Sequence, residues 1–131
     1  MKYIAALISL LLLPTHAQAS EVWLSVGESE TAKFSIKVST LDFATNKAGE
    51  SVVTAIGRTE NSDKTIDVYK LYVSFTDCDA GYGKLVTLET DGTFQFENDF
   101  AEGSGNIGSS KAEALCFFYK KAKERAQKKS L

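Results

Sequence analysis

Two cysteines constrain this chain more than any other feature: Cys78 in Ser74-Phe75-Thr76-Asp77-Cys78-Asp79, and Cys116 in Ala114-Leu115-Cys116-Phe117-Phe118. They are the only two, and they stand 38 residues apart. Whether they are joined depends on the compartment, and the first residues speak to that. Lys2 precedes an apolar run from Ile4 to Leu13, Pro14 breaks it, and Ala17-Gln18-Ala19 is a small-x-small cleavage signature. The run is shorter than the about 20 apolar residues that span a bilayer. The reading is therefore a signal peptide over residues 1–19, cleaved after Ala19, with no transmembrane anchor. No cysteine stands near the cleavage site to take a lipid. Export to the periplasm or beyond makes a Cys78–Cys116 disulfide the default.

Cleavage leaves Ser20–Leu131, 112 residues, which is one domain by length. It also removes His16, the only histidine in the chain. Without an imidazole, the Ser/His and Cys/His nucleophile arrangements and the usual zinc ligand sets are excluded. The expectation is a protein that is not an enzyme and carries no cofactor or metal.

Hydrophobic patterning then predicts an α+β fold: an antiparallel sheet of about six strands with one C-terminal helix packed on it. Glu21–Val26 is a short β-type run in which Trp23 is expected to anchor one edge of the core. In Thr31–Val38, Ala32, Phe34, Ile36 and Val38 alternate with Lys33, Ser35 and Lys37, as in a half-buried antiparallel strand, and the run continues less regularly through Phe43. Ser51–Thr59 is a third strand, whose Gly57 marks a bulge or a close backbone approach. Thr65–Thr76 is the longest. Tyr69, Leu71, Val73 and Phe75 are expected to face the core, and Tyr72 the other side. Lys84–Glu89 and Thr93–Glu97 flank Asp91-Gly92, a strong hairpin signal. After a Gly/Ser-rich loop over 101–110, Ser110-Lys111-Ala112-Glu113 reads as a capping box that starts a helix running toward Lys128. Ala112, Leu115, Cys116, Tyr119 and Ala122 share one face of it.

Charge is polarised along the chain. Residues 20–110 carry 7 basic and 15 acidic side chains, a net of −8, whereas residues 111–131 carry 7 basic and 2 acidic, a net of +5. Lys120, Lys121, Lys123, Arg125, Lys128 and Lys129 form a candidate site for an anionic partner. The plainer reading is that they complement the helix dipole and solvate the tail. No aromatic residues interleave them as nucleic-acid stacking requires, so specific nucleic-acid binding is not expected. Asp77, Asp79 and Gly81 have a loose likeness to a calcium loop, but Ala80, Gly81 and Tyr82 interrupt the ligand series. Glu97-Asn98-Asp99-Phe100-Ala101-Glu102-Gly103 groups three acids about one aromatic and reads as a solvated hairpin tip or interaction loop.

Several of these features together resemble the surface-adhesin E-like family of small exported bacterial proteins. They are Trp23, the Tyr72–Cys78 stretch, the Asp91-Gly92 hairpin, the Gly/Ser loop and Ser110–Cys116 with the second cysteine. The resemblance implies an antiparallel sheet with a helix clamped across it by the disulfide. The family's named member is a surface lipoprotein that binds host matrix and serum proteins, whereas this chain has no lipidation cysteine. The expected function is thus an exported, non-catalytic binding protein of the bacterial envelope, adhesin-like, monomeric or weakly dimeric, with a protein or anionic polymer as partner. Two alternatives are an inhibitor of an exported enzyme such as lysozyme, its acidic body complementing a basic target, and a structural accessory of an envelope complex.

Overall fold

The computed structural model describes residues 22–129, so the signal segment read at 1–19 lies outside the described residues. The strands are β1 (Trp23–Glu28), β2 (Ala32–Lys37), β3 (Asp42–Thr45), β4 (Ser51–Asn61), β5 (Ile66–Ser74), β6 (Tyr82–Leu88) and β7 (Phe94–Ala101). Two helices join them: α1 (Phe75–Ala80) between β5 and β6, and α2 (Ile107–Lys129) at the end. The α+β reading holds. One antiparallel sheet runs β1-β2-β4-β5-β6-β7, with β3 also pairing β4.

The seventh strand comes from a break in an expected one. β2 lies along the C-terminal half of β4, from Ala32 opposite Asn61 to Ile36 opposite Gly57. A 3-10 turn at Val38–Thr40 then interrupts the run, and β3 resumes along the same edge with Asp42 opposite Thr54. Thr40 repairs the gap. Its hydroxyl donates to the Lys37 carbonyl at 2.6 Å and accepts from the Ile56 amide at 2.8 Å, so the interruption leaves that β4 donor satisfied.

Alternation in β4 and β5 decides the two faces of the sheet. Val53 pairs with Val73, Ala55 with Leu71 and Gly57 with Tyr69, and all of these point toward α2. Ile36, Leu85 and Phe100 join them from β2, β6 and β7, and α2 contributes Ala112, Leu115, Cys116 and Tyr119. That is the helix stripe the sequence predicts, with Ala122 half-buried beyond it. Trp23 departs from expectation. It lies on the opposite face, under the Arg58 guanidinium at 4.1 Å from the ring centroid, because it pairs with Lys37 rather than with a core position.

Gly57 marks a close approach, not a bulge. A Cβ there would stand 2.5 Å from Cε1 of Tyr69 and 3.0 Å from Cδ1 of Leu71. The missing side chain lets the Tyr69 ring cross β4, where its hydroxyl meets Thr59 Oγ1 at 2.7 Å. Because both neighbours are core side chains, Gly57→Ala is expected to cost about 1–3 kcal/mol, the usual range for overpacking. A urea denaturation midpoint checks this, and an unchanged midpoint would show that the ring can move aside.

One helix, α1, was not expected from the sequence, and the other starts earlier than expected. β5 stops at Ser74 instead of running to Thr76, because the Ser74 hydroxyl accepts from the Asp77 amide at 3.1 Å and caps α1. Gly81, at φ 82°, ends that helix in the left-handed conformation, so Asp79 and Ala80 are helical and Tyr82 and Gly83 already belong to β6. At the second helix, Asn106 displaces Ser110 as the cap: its Oδ1 accepts from the Ser109 amide at 2.8 Å, and α2 begins at Ile107. Glu113 turns away from Ser110 to accept from the Gly103 amide at 2.7 Å. Cys78 lies on α1 and Cys116 on α2, and their disulfide, with Cα atoms 5.2 Å apart, ties α2 to the sheet through the segment continuing β5.

Candidate functional site

Lys120, Lys121, Lys123, Arg125 and Lys128 of α2 are exposed, but much of their charge is answered within the molecule. Lys120 pairs with Glu102 at 2.8 Å, Lys123 with Asp79 at 3.1 Å, and Lys121 with Glu124 at 3.4 Å along the same helix. Lys123 also stands 5.1 Å from the centroid of the Tyr119 ring. Arg125 and Lys128 follow further along the helix, and Lys129 is the last helical residue described. Two of the six predicted cations thus fasten α2 to the acidic body of the domain. Of the others whose side chains are described, Lys121 pairs within the helix, and Arg125 and Lys128 are exposed.

The loose calcium likeness at Asp77–Gly81 resolves into a clamp. Asp79 accepts from the Tyr119 hydroxyl at 3.1 Å on each carboxylate oxygen and from Lys123 at 3.1 Å. Asp77 caps the next strand, accepting from the Lys84 amide at 3.0 Å. The Phe75 and Tyr119 rings stack 4.3 Å apart beside them, with Phe43 edge-on to both. Among the described residues, no three His, Cys, Asp or Glu side chains come together to hold a metal ion.

This clamp has a definite pH signature. The hydrogen bond from Lys123 holds the Asp79 carboxyl below its ordinary 3.8, the Tyr119 hydroxyl adds to this, and the slight desolvation opposes it. A carboxylate whose folded pKa is depressed contributes stability above its unfolded pKa and loses it as pH falls through the folded value. The denaturation midpoint of the wild type is therefore expected to exceed that of Asp79→Asn at neutral pH. The gap should close as pH drops below 3.8. A gap that persisted in strong acid would assign the effect to shape, not charge.

The acidic stretch read as a hairpin tip is mostly strand. Glu97 to Ala101 belong to β7, where Phe100 turns into the core and Glu97 and Asp99 stay exposed, Asp99 pairing with Lys84. Only the Glu102–Gly103 end is loop.

A large concavity was missed from sequence. α2 covers one face of the sheet, and the opposite face holds a groove of about 770 Å³. Its floor is Val52, Thr54 and Ile56 of β4, Lys70 and Tyr72 of β5, and Leu88 of β6. Register explains the grouping, since Ile56 opposes Lys70, Lys70 opposes Leu88, and Thr54 opposes Tyr72. The β3–β4 turn forms one wall with Asn46, Lys47 and Ala48, and the β6–β7 hairpin forms the other with Gly92 and Phe94. Asn46 stiffens its wall by accepting from the Glu50 amide at 2.9 Å while donating to the Glu50 carboxylate at 3.0 Å.

A groove of this size, apolar along most of its floor with a phenol and an amine set into it, has the make-up of a recognition surface. Part of the signal was present in the sequence: Ile66, Val68 and Tyr72 make the outward set of β5 unusually apolar for a solvated face, and of these Tyr72 lines the groove. A second omission is Lys111, which sits near the core end of α2. Its amine lies 4.7 and 4.9 Å from the centroids of the Phe34 and Tyr69 rings, and burial pulls its pKa below the usual 10.5.

Comparison with known proteins adds no relative: no family model, no curated protein and no solved structure matches this chain.

Proposed function

We propose that this is an exported, non-catalytic binding protein that holds a protein partner on the sheet face left uncovered by α2. The observation that carries the reading is the groove of about 770 Å³ floored by Ile56, Tyr72 and Leu88. A monomer gains nothing in its own core from aligning these side chains across three strands on the outer face. Burying them against a partner removes that apolar surface from water. The disulfide suits the periplasm or the extracellular space as the compartment. An adhesin-like role agrees with the resemblance, and a partner of the envelope or of the host surface fits equally.

The basic end of α2 is the weaker candidate for the contact, because Lys120 and Lys123 are already paired with Glu102 and Asp79. The test is cross-linking to envelope and host-matrix protein fractions. It compares the wild type with a Tyr72→Glu, Leu88→Asp double variant and with an Arg125→Ala, Lys128→Ala double variant. Charges placed in a central hot spot are expected to lower partner recovery by roughly tenfold or more, while the helix-end variant keeps it. Recovery that survives in the groove variant and fails in the helix-end variant would overturn the assignment.

A further inference from the structure

Among the described residues the sheet ends on β7, with no strand paired on its outer side. Seven of its eight residues are exposed, and only Phe100 is buried. The direction of its free main-chain groups can be read from its ends. The Glu102 amide points toward β6, donating to the Gly81 carbonyl at 2.9 Å, whereas the Ala101 amide points away from β6 to the Ser109 hydroxyl at 3.1 Å. Alternation along an antiparallel strand then aims the amides and carbonyls of Asp99 and Glu97 outward, away from β6. The opposite edge is blunted by comparison. β1 has a register shift between Ser25 and Gly27, and α2 crowds it so closely that a Cβ on Gly27 would stand 3.1 Å from Ile107.

The chemistry around β7 is one-sided. From residue 85 to residue 110 there are five acids, Glu89, Asp91, Glu97, Asp99 and Glu102, and no lysine or arginine. Lys84 and Lys120 reach in to pair with Asp99 and Glu102, which leaves Glu97 as the strand carboxylate outside these two ion pairs. Glu97 pairs with Val86 and Asp99 with Lys84, so both carboxylates stand on the uncovered face of the sheet. Phe94 and Phe96 are 60% and 50% exposed, and Phe94 reaches the rim of the groove. Acids at alternate positions keep two copies of this edge from pairing with each other, since like charges directly opposed are destabilising. The same acids favour a strand with cations at alternate positions.

We infer that β7 accepts an extended cationic segment of the partner protein as an added antiparallel strand. Main-chain bonds form to Glu97 and Asp99, a lysine or arginine side chain opposes the Glu97 carboxylate while a second shares that of Asp99 with Lys84, and apolar side chains pack on Phe96. This rests on the binding reading above and supplies its main-chain contact. Both surfaces can be engaged at once, because Phe94 belongs to the strand and to the groove.

The experiment titrates the isotopically labelled, disulfide-bonded protein with a short blocked peptide alternating valine and lysine, and with its valine–glutamate counterpart. Amide shifts and amide hydrogen exchange are followed by NMR. Saturable binding of the lysine peptide alone, with slowed exchange at the Glu97 and Asp99 amides, is the expected result. Reversing both charges with Glu97→Lys and Asp99→Lys should weaken it by roughly tenfold or more, in line with the loss of two cross-strand pairs. Glu97→Pro should abolish it by removing an outward donor at a position where an edge strand tolerates proline. If that variant fails to fold, the charge-reversed one still decides the matter. Equal binding of both peptides, or no saturable binding, would overturn the inference. So would shifts confined to Tyr72 and Leu88 without protection along β7, an outcome that leaves the groove reading standing.

Discussion

Replacing Cys78 and Cys116 together by alanine is expected to lower the free energy of unfolding by roughly 4 kcal/mol. That is the chain-entropy cost of releasing a crosslink across 38 residues. Small domains hold together by about 5–15 kcal/mol in total, so this is a large share of what keeps the chain folded. The bond acts chiefly on the unfolded chain, which it denies the freedom to separate α1 from α2. The folded state also loses packing, because both sulfurs are buried in the core. Urea denaturation with and without reductant provides the measurement. Reductant should shift the wild-type midpoint strongly and leave the double variant where it is. Equal midpoints for the oxidised wild type and the double variant would show that α2 docks by its apolar stripe alone.

Leu71→Ala is the second large effect, at roughly 3 kcal/mol within the usual range for emptying a core position. Leu71 is fully buried at the centre of β5, between Ala55 of β4 and Thr87 of β6, with α2 above it. Val68, on the same strand and the other face, is 47% exposed, and Val68→Ala is expected to cost well under about 1 kcal/mol. The contrast matters more than either value. Because side chains alternate with a period of two, a one-residue slip in register would exchange the two positions. Similar losses at both would contradict the pairing of β5 with β4.

The parts of the fold that were legible beforehand are those written in local pattern. Alternation over residues 66–74 assigns Leu71 and Val73 to the core and Tyr72 to the far side without reference to any distant residue. The stripe Ala112, Leu115, Cys116 and Tyr119 does the same for α2 at helical spacing. Where local signals competed, the reading slipped. Ser110 with Glu113 has the form of a capping box, yet Asn106 caps the helix four residues earlier by accepting from the Ser109 amide, while Glu113 is drawn off to the Gly103 amide. Ser74 looked like strand interior but serves as a cap, since Gly81 can close a helix behind it.

The candidate sites divide along the same line. Their residue types were visible, and their company was not. Nothing near Lys123 in sequence announces Asp79, 44 residues away, and nothing near Lys120 announces Glu102, 18 residues away. A basic cluster read along the chain counted as free charges that the fold had already paired. The groove was hidden for the converse reason: Ile56, Tyr72 and Leu88 are unremarkable singly and become a surface only when β4, β5 and β6 align them.

By itself the sequence determined the class of the fold, the core-facing sides of β2, β5 and the C-terminal helix, and a disulfide suited to an oxidising compartment. Those follow from periodicity and from the two cysteines, which are local or countable properties. Tertiary structure alone decided which cations remain available, where the concave surface lies, and that the sheet of the described residues ends on an acidic strand. Each of those depends on distances through space between segments far apart in the chain, and side-chain spacing along the backbone carries no information about them.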